Sequence, residues 1–334
     1  MSSKPQVIVA GSYVTDYCFS TKVIPRIGET RIGQFHHSSG GKGFNQAIAC
    51  SRVGISTLFI GATGFDAGAK DLEKFLASES LNCNIFRDES SHTGAAGIMV
   101  DQNGNNQIVV SLGANLNLPM EHIFDNAHYF DSAKIFLCQL EANYESMKLG
   151  LKLAKQKGLI SILNPAPINE AIEPDILEYV DILTPNELEF TFLMNHFFST
   201  CIEKNVNKLS DRYLDNLCRK FGDTTVIITL GEDGCFLSRS SKDGGGCERI
   251  PAFSVDAVDT TGAGDSFNGG LAAGLIMSHN SISESITIAN AMGSLTALKQ
   301  GTATAMPNQS DVGAFLKKAG VQTHFASTPT PNLH

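Results

Sequence analysis

The chain has 334 residues, a length that suits one large domain with a small appendage or two modest domains. Its 42% hydrophobic and 18% charged residues are an ordinary globular balance, and its net charge of -9 argues against nucleic acid or an anionic membrane as a partner. No apolar run is long enough to span a bilayer, and the N-terminus has the pattern of a buried strand instead of a signal peptide, so we expect a cytoplasmic protein.

Short β-branched runs alternate with helical patterns along most of the chain. This alternation predicts an α/β fold, a doubly wound and mostly parallel sheet with helices on both faces. The predicted strands are Val7–Ala10, Thr57–Ile60, Ile135–Cys138, Leu159–Leu163, Ile182–Thr184 and Val226–Leu230. The predicted helices are Asn45–Val53, Ala69–Ser78, Tyr144–Lys157, Pro185–Met194, Gly264–Ser278 and Ile282–Leu298.

Two stretches, about 13–37 and 93–112, break this rhythm because they have the pattern of alternating strands. An Asn-Gly turn at 101–106 favours a tight hairpin within the second stretch. Since both are inserted between βα units, they predict one small β-sheet that projects as a lid over the strand ends. The predicted lid strands are Arg31–Phe35, Gly97–Val100 and Gln107–Leu112.

The remaining features concern the ends of the chain and its cysteines. Residues 1–320 form one predicted α/β domain, and the polar segment 321–334 is predicted to be a disordered tail. The eight cysteines form no C-x-x-C pair, so we expect no zinc site. Most of them lie in apolar segments, as small core residues do in a reducing compartment.

The strongest chemical signal is the run Asp-Thr-Thr-Gly-Ala-Gly-Asp at 259–265, which follows a strand-like segment, Phe253–Val258, and opens a helical pattern. Its three small residues at 262–264 let a ligand approach the backbone, and amides at a helix N-terminus attract anions. The run therefore predicts an anion hole for a transferring phosphoryl group. Asp265, at its edge, is predicted to accept the proton of an attacking substrate hydroxyl. The alternative is an aspartate that only caps the helix.

A second signal is Gly40-Gly41-Lys42-Gly43-Phe44-Asn45-Gln46-Ala47, which begins a helix but matches neither of the common glycine-rich nucleotide motifs. The glycines let the backbone approach a small polyol. Lys42 supplies a charge for a phosphate or a donor for a hydroxyl, and Asn45 is both donor and acceptor. The alternative is a glycine-rich turn with Asn45 as the helix cap.

Two further motifs follow predicted strands. Asn186 and Glu189 lie three residues apart on one helical face and could hold a hydrated Mg²⁺; the alternative is a capping arrangement with Pro185 near the first helical position. The segment 229–234 ends an apolar strand and could contact a nucleotide, or it is a plain hairpin turn.

Two isolated acids also follow predicted strands. Glu141 could bind a sugar hydroxyl, or it is a solvated loop residue. Asp16 could accept hydrogen bonds from two adjacent sugar hydroxyls, or it is a surface charge at the lid edge. The histidines show no spacing typical of metal ligands.

Together these motifs resemble the ribokinase branch of the ribokinase-like (PfkB-type) carbohydrate kinases, from about Val7 to Phe315. The resemblance implies an ATP-dependent kinase of a sugar hydroxyl, with ribose as the leading substrate and another sugar or a nucleoside as the alternative. It also implies a lid that serves as the clasp of a homodimer. The matching segments are Gly40–Asn45, Gln139–Glu141, Asn164–Pro167, Thr184–Glu187 and Asp259–Asp265.

The resemblance implies a role for each matching residue. The catalytic set is Gly262, Ala263, Gly264 and, as the base, Asp265. The ribose-binding set is Asp16, Gly41, Lys42, Asn45, Glu141 and Asp265. The nucleotide-binding set is Asn186, Thr229, Leu230, Gly231, Glu232, Asp233, Gly234, Gly264 and Asn290, with Mg²⁺ held through water near Asn186 and Glu189. An activating monovalent cation, usually K⁺, is implied at Asp259, Thr261, Thr296, Lys299, Gly301 and Ala305.

Two positions depart from the family pattern. Val14 stands where many ribokinases place an asparagine that touches the sugar, so one hydrogen bond that discriminates between hydroxyls is lost. Ala305 stands where many relatives have serine, so one cation ligand is lost. Two other classes of protein are disfavoured: the intact motif at 262–265 argues against a silent sugar-binding protein, and 11–14 lacks the fingerprint of an NAD-dependent enzyme.

Overall fold

A computed structural model describes residues 4–103, 105–202, 205–323 and 325. The strands in these residues are β1 Val7–Ala10, β2 Val14–Ser20, β3 Gln34–Gly40, β4 Thr57–Thr63, β5 Asn82–Arg87, β6 Gly94–Val100, β7 Asn106–Ser111, β8 Ile135–Gln139, β9 Ile160–Asn164, β10 Ile182–Leu183, β11 Thr225–Thr229, β12 Cys235–Ser238 and β13 Cys247–Ile250. The α-helices in the same residues are α1 Lys42–Arg52, α2 Ala67–Leu76, α3 Met120–Asp125, α4 Ala127–Phe130, α5 Tyr144–Lys157, α6 Glu187–Phe198, α7 Asp211–Cys218, α8 Ala263–Met277, α9 Ile282–Ala297 and α10 Gln309–Lys318.

Nine of the described strands form one large sheet in the order β13-β12-β11-β10-β9-β8-β1-β4-β5. The strands from β11 to β5 all run parallel, and β12 and β13 are antiparallel additions at one edge. This arrangement confirms the predicted mostly parallel α/β sheet. Because parallel neighbours need a crossover, a helix on one face or the other joins most of the successive strands.

Strand β1 shows why the sheet is buried on both faces. Val7 and Val9 belong to the core that contains α1, α8, α9 and α10, whereas Ile8 and Ala10 belong to the core that contains α3 to α7. Side chains alternate between the faces of a strand, so an apolar residue is needed at every position. Each buried Val or Ile contributes about 1.5–3 kcal/mol to folding.

Four described strands form a second, small sheet in the order β3-β2-β6-β7. Strand β2 follows β1 after three residues, so the small sheet is attached where the large sheet ends. The predicted small sheet is therefore confirmed, but the predicted strand Arg31–Phe35 is wrong. The ladder with β2 pairs Ser20 with Gln34 and continues to Gly40, so the partner strand, and not local alternation, sets its limits.

Two further expectations about local structure need correction. The strand-like segment Phe253–Val258 contains no strand, because it leaves the sheet edge and packs on α9, where the Val258 amide donates to the Ala297 carbonyl. In the predicted tail, Phe325 is buried in the core next to α10. Of the other tail residues, 321–323 are described, and 324 and 326–334 lie outside the described residues, as does Gly104 of the predicted hairpin turn.

All eight cysteines are free thiols. Burial raises the pKa of the Cys50 and Cys83 thiols to about 12, which makes them unreactive. In the described parts of the chain, we find no helix with both the length and the hydrophobicity that a membrane span requires.

Candidate active site

The candidate site lies at the carboxyl ends of five adjacent parallel strands, where open α/β sheets bind their ligands. The residues at these ends are Ser12 after β1, Glu141 after β8, Asn164 in β9, Thr184 after β10 and Thr229 in β11. A cavity of about 130 Å³ opens beside them. It is lined by Lys42, Asn164, Ala166, Thr184, Asn186, Glu189, Thr229, Gly262, Gly264, Asp265 and Asn268.

The predicted anion hole lies at the N-terminus of α8. Gly262 is the residue that precedes the helix, and its φ of 79° is in the left-handed region that favours glycine. A Cβ atom on Gly264 would meet no atom within 4 Å, so the space in front of this backbone is open. The first amides of α8 therefore border the cavity, where the helix dipole favours negative charge.

Asp265 is the third residue of α8 and is only 8% exposed. Its Oδ2 accepts a hydrogen bond from Asn45 Nδ2 at 2.9 Å, and its Oδ1 accepts one from Gln46 Nε2 at 3.0 Å. Both donors lie on α1, so the carboxylate joins two helices and does not cap its own. The capping interpretation of Asp265 is therefore wrong, and its carboxylate lines the cavity.

Asn45 carries a polar atom that lacks a partner. Its Oδ1 is buried and accepts no hydrogen bond from any described residue. The N-cap of α1, the residue before the helix, is Gly41 with φ 93°, so the helix-cap interpretation of Asn45 is also wrong. A buried acceptor without a donor costs about 1–3 kcal/mol, and the hydroxyl of a bound ligand would satisfy it.

Lys42 is the positive charge of the site. Burial opposes its charge, but the carboxylates of Asp265, Glu141 and Glu189 outweigh burial and raise its pKa. Lys42 thus stays protonated within a chain of net negative charge. Such a local charge suits a phosphate group.

Glu141 is buried and holds the start of α1. Its Oε2 accepts hydrogen bonds from the Ser12 hydroxyl at 2.5 Å and from the Lys42 amide at 2.9 Å. The solvated-loop interpretation of Glu141 is therefore wrong. The residue connects the ends of β1 and β8 to the glycine-rich run.

Asp16 lies on β2 of the small sheet and is 8% exposed, so its interpretation as a surface charge is wrong. Burial raises the pKa of Asp16 to about 6, and the nearby charges of Glu141 and Asp265 add to that rise. The Thr302 hydroxyl, which donates to Asp16 Oδ2 at 3.1 Å, opposes it. The small sheet thus brings a carboxylate to the acids of the large domain. Hydroxyl donors from a ligand would stabilise its charged form.

Asn186 and Glu189 form a capping box and also line the cavity. Asn186 Oδ1 accepts from the Glu189 amide at 2.8 Å, and Glu189 Oε2 accepts from the Asn186 amide at 2.9 Å. The predicted capping is confirmed, although Pro185 precedes the cap and is not the first helical residue. Burial raises the pKa of Glu189, and the Asn186 amide and Lys42 oppose that rise. A hydrated Mg²⁺ fits this oxygen-donor pair, because it keeps most of its waters.

The predicted nucleotide residues divide into two groups. Thr229 lines the cavity, and the turn after it, Gly231–Asp233, leads into antiparallel β12, so the hairpin interpretation of this segment is confirmed. Asn290 does not line the cavity. Its Nδ2 donates to the carbonyls of Ile250 and Pro251 at 3.4 and 3.0 Å.

Most of the predicted cation residues lie in two loops that one carboxylate connects, whereas Thr296 lies in the last turn of α9. Asp259 accepts from the Thr261 amide at 2.9 Å and from the Gly301 amide at 3.2 Å. The Lys299 ammonium pairs with Asp311 at 3.6 Å, so only its backbone could serve a cation here. An acid beside loop carbonyls is an oxygen donor set that fits a hard cation.

Sequence reasoning missed several residues that organise the site. Thr184 Oγ1 donates to Asn268 Oδ1 at 2.6 Å, and Asn268 Nδ2 donates to the Gly264 carbonyl at 2.8 Å, which ties the end of β10 to the anion hole. Gln46 lies within the glycine-rich run at 40–47, so its position in the sequence indicates a place near the site. Thr302, the partner of Asp16, lies in no motif.

Known proteins with similar sequences and structures include carbohydrate kinases. A model of the pfkB family carbohydrate kinases matches residues 4–309. A ribokinase of Haemophilus influenzae is 33% identical over 313 residues, which cover 93% of this chain and 98% of that protein. The structure of ribokinase from Giardia lamblia has a TM-score of 0.85 at 27% identity and covers 95% of this chain and 100% of that one. Arabidopsis thaliana ribokinase complexed with ribose and ATP has a TM-score of 0.79 at 27% identity, over 94% of this chain and 99% of that one.

Proposed function

The chain belongs to the pfkB family of carbohydrate kinases, and from that membership we propose that it phosphorylates D-ribose with ATP, giving D-ribose 5-phosphate and ADP. One observation carries the proposal. The Asp265 carboxylate lies in a cavity beside open helix-terminal amides and near the Lys42 charge. This combination suits the transfer of a phosphoryl group to an alcohol.

In the proposed reaction, Asp265 accepts the proton of the ribose 5-hydroxyl as its oxygen bonds to the γ-phosphorus. The bond from that phosphorus to the bridging oxygen breaks, and ADP leaves with the electron pair. The amides at Gly262–Gly264 and the Lys42 ammonium stabilise the charge on the transferring group. Positioning and charge stabilisation supply most of the rate in such reactions, so a weak base is sufficient.

The sugar is proposed to bind against Asp16, Gly41, Lys42, Asn45 and Glu141. The unpartnered Asn45 Oδ1 supports this, because a ribose hydroxyl would satisfy it. The raised pKa of Asp16 supports it too, since two hydroxyl donors would stabilise its charge. Val14 offers no hydrogen bond, so one hydroxyl is read less strictly.

Two cations complete the proposal. Asn186 and Glu189 would hold Mg²⁺ through water, and the ion would neutralise charge on the phosphates. A monovalent cation such as K⁺ would be held at the two loops that Asp259 connects, with one ligand lost at Ala305. The adenosine of ATP is proposed to lie along Thr229–Gly234.

The small sheet is proposed to act as a lid and to pair with the lid of a second copy. Its edge strand β7 has no charged residue, and Ile108, Val109 and Val110 are exposed on it. Phe19 and Phe35 are also exposed and pack with ring centroids 5.1 Å apart. Uncharged, apolar edge strands are rare on monomers, because they favour association.

The test is a substrate panel combined with Asp265→Asn. ADP release is measured with ribose, 2-deoxyribose, other sugars and nucleosides, and we expect the highest kcat/KM with ribose. Asp265→Asn should lower kcat by about 10²–10⁴-fold and retain ribose binding in calorimetry, because only the proton acceptor is lost. Asp125→Asn, an exposed acid on α3, is the matched control. A far better nucleoside substrate would refute the ribose assignment, and undiminished turnover in Asp265→Asn would refute the base.

A further inference from the structure

We propose that Gln46 and Gln139, neither of which lines the cavity, position the Asp265 carboxylate for proton transfer. The inference rests on the proposed role of Asp265 as the base. Gln46 contacts the carboxylate directly, and Gln139 acts through Gln46. Both side chains are fully buried, on α1 and β8 respectively.

Gln46 restrains one oxygen of the carboxylate. Its Nε2 carries two hydrogens, one donated to Asp265 Oδ1 at 3.0 Å and one to Asn164 Oδ1 at 3.1 Å. Asn45, the preceding residue of α1, holds Oδ2. Because each oxygen accepts from a different amide, the carboxylate cannot rotate about its Cβ–Cγ bond without losing both hydrogen bonds.

Gln139 sets the orientation of the Gln46 amide. Gln139 Nε2 donates to Gln46 Oε1 at 2.6 Å. If the Gln46 amide were reversed, its oxygen would face the acceptor oxygens of Asp265 and Asn164. Its amide hydrogens would face the amide hydrogens of Gln139, so all three hydrogen bonds would be lost. One orientation is therefore selected from both sides, and it is the one that directs a donor at the base.

Gln139 itself carries a penalty for this arrangement. Its Oε1 is buried and accepts no hydrogen bond from the described residues. It lies so close to Gly11 that a Cβ there would come within 2.1 Å of it. An unsatisfied buried acceptor destabilises the fold, and a methionine would occupy the same space without that penalty. We therefore infer that the polar side chain at position 139 has a role that offsets this penalty. Its hydrogen bond to Gln46 Oε1 indicates that this role is to orient the Gln46 amide.

The kinetic consequence separates positioning from plain stability. Without the Gln46 donor, the Asp265 carboxylate loses one hydrogen bond and can rotate away from the attacking hydroxyl. We expect a lower kcat and an unchanged ribose KM, because the proton acceptor is misplaced while the groups that bind the sugar stay in position. Lys42, Asp16 and Glu189 also act on this carboxylate, and the substitutions leave them in place.

The experiment uses Gln46→Met, Gln139→Met and the double variant in the full-length protein. We expect kcat to fall about 10- to 100-fold in Gln46→Met and about 3- to 10-fold in Gln139→Met, because small misplacements of a catalytic group are costly. If Gln139 acts through Gln46, the double variant should match Gln46→Met. Ser146→Ala removes one buried hydrogen bond on α5 and is the control for stability alone, with unchanged kinetics expected.

The outcomes decide the inference even if Gln46→Met does not fold, because Gln139→Met then carries the test. A wild-type kcat in Gln139→Met, or additive losses in the double variant, would overturn the proposal that Gln139 acts through Gln46. Asp265→Asn distinguishes this failure from that of the proposed function. An inactive Asp265→Asn beside a fully active Gln139→Met would reject only the positioning role.

Discussion

At the residue scale, the site gathers four acids around one lysine. Asp16, Glu141, Glu189 and Asp265 all act on one another or on Lys42. Buried like charges destabilise a fold unless ligands or cations compensate for them. The free protein therefore carries a local electrostatic penalty that its substrates would relieve.

Asp16→Asn tests this penalty. The pKa of Asp16 rises from 3.8 to about 6 on folding, so the folded state favours the protonated carboxyl. For this group, stability is highest below pH 4 and is lost as the pH rises through 6. The loss is about 3 kcal/mol at neutral pH, at roughly 1.4 kcal/mol per pKa unit. We expect denaturant unfolding at pH 7.5 to show a more stable Asp16→Asn protein, with weaker ribose binding.

The same comparison at lower pH checks the cause. The gain in the free energy of unfolding should shrink as the pH falls from 7 to 4. Glu89→Gln, which neutralises an exposed acid, is the control and should change stability little at any pH. If the gain in the free energy of unfolding does not depend on pH, then packing, and not charge, causes the difference in stability between the aspartate and the asparagine.

At the element scale, close packing between α8 and its neighbours places the base. A Cβ on Gly269 would lie 2.6 Å from the Gln46 carbonyl oxygen and 2.7 Å from Ala49 Cβ, so α8 and α1 touch there. Gly269 is one turn after Asp265, on the same face of the helix. The glycine contact therefore sets the distance between Asp265 and the amides of Asn45 and Gln46.

Gly269→Ala should push the two helices apart. Overpacking of this kind costs about 1–3 kcal/mol, against a gain of up to about 1 kcal/mol in helix propensity. We expect a lower melting temperature and a lower kcat, measured by calorimetry and by ADP release. Gly313→Ala on α10 is the control, since its Cβ would meet only Phe325, at 3.8 Å, and should stabilise the protein slightly. Full activity in Gly269→Ala would contradict this account of helix placement.

At the scale of the whole molecule, the small sheet has an apolar edge strand that the rest of the described chain does not cover. Its strand β7 is exposed at every residue, and Val109 is 78% exposed. The large sheet, by contrast, has both faces covered by helices. A second copy of the chain is the proposed cover of the small sheet.

Val109→Lys should weaken this proposed dimer, because a lysine on an edge strand opposes pairing with another chain. We expect sedimentation velocity to show a dimer for the unaltered chain and a monomer, or a faster exchange, for Val109→Lys. Phe124→Lys on α3 replaces another exposed apolar residue, away from the small sheet, and the dimer should persist in it. A monomeric unaltered chain would contradict the proposal.

The sequence by itself determined most of the secondary-structure elements and the family. The apolar run Val7–Ala10 and the helix Tyr144–Lys157 have the predicted bounds, because strand burial and helix periodicity are local properties. The motif at 259–265 placed small residues at a helix N-terminus for the same reason.

Only the tertiary structure decided which distant groups meet. Asp265 meets Gln46, 219 residues away, and Asp16 meets Thr302, 286 residues away. It also decided that Phe253–Val258 packs on a helix and that β3 runs to Gly40. A strand or a hydrogen bond needs a partner, and the choice of partner depends on chain topology, which the pattern of neighbouring residues does not contain.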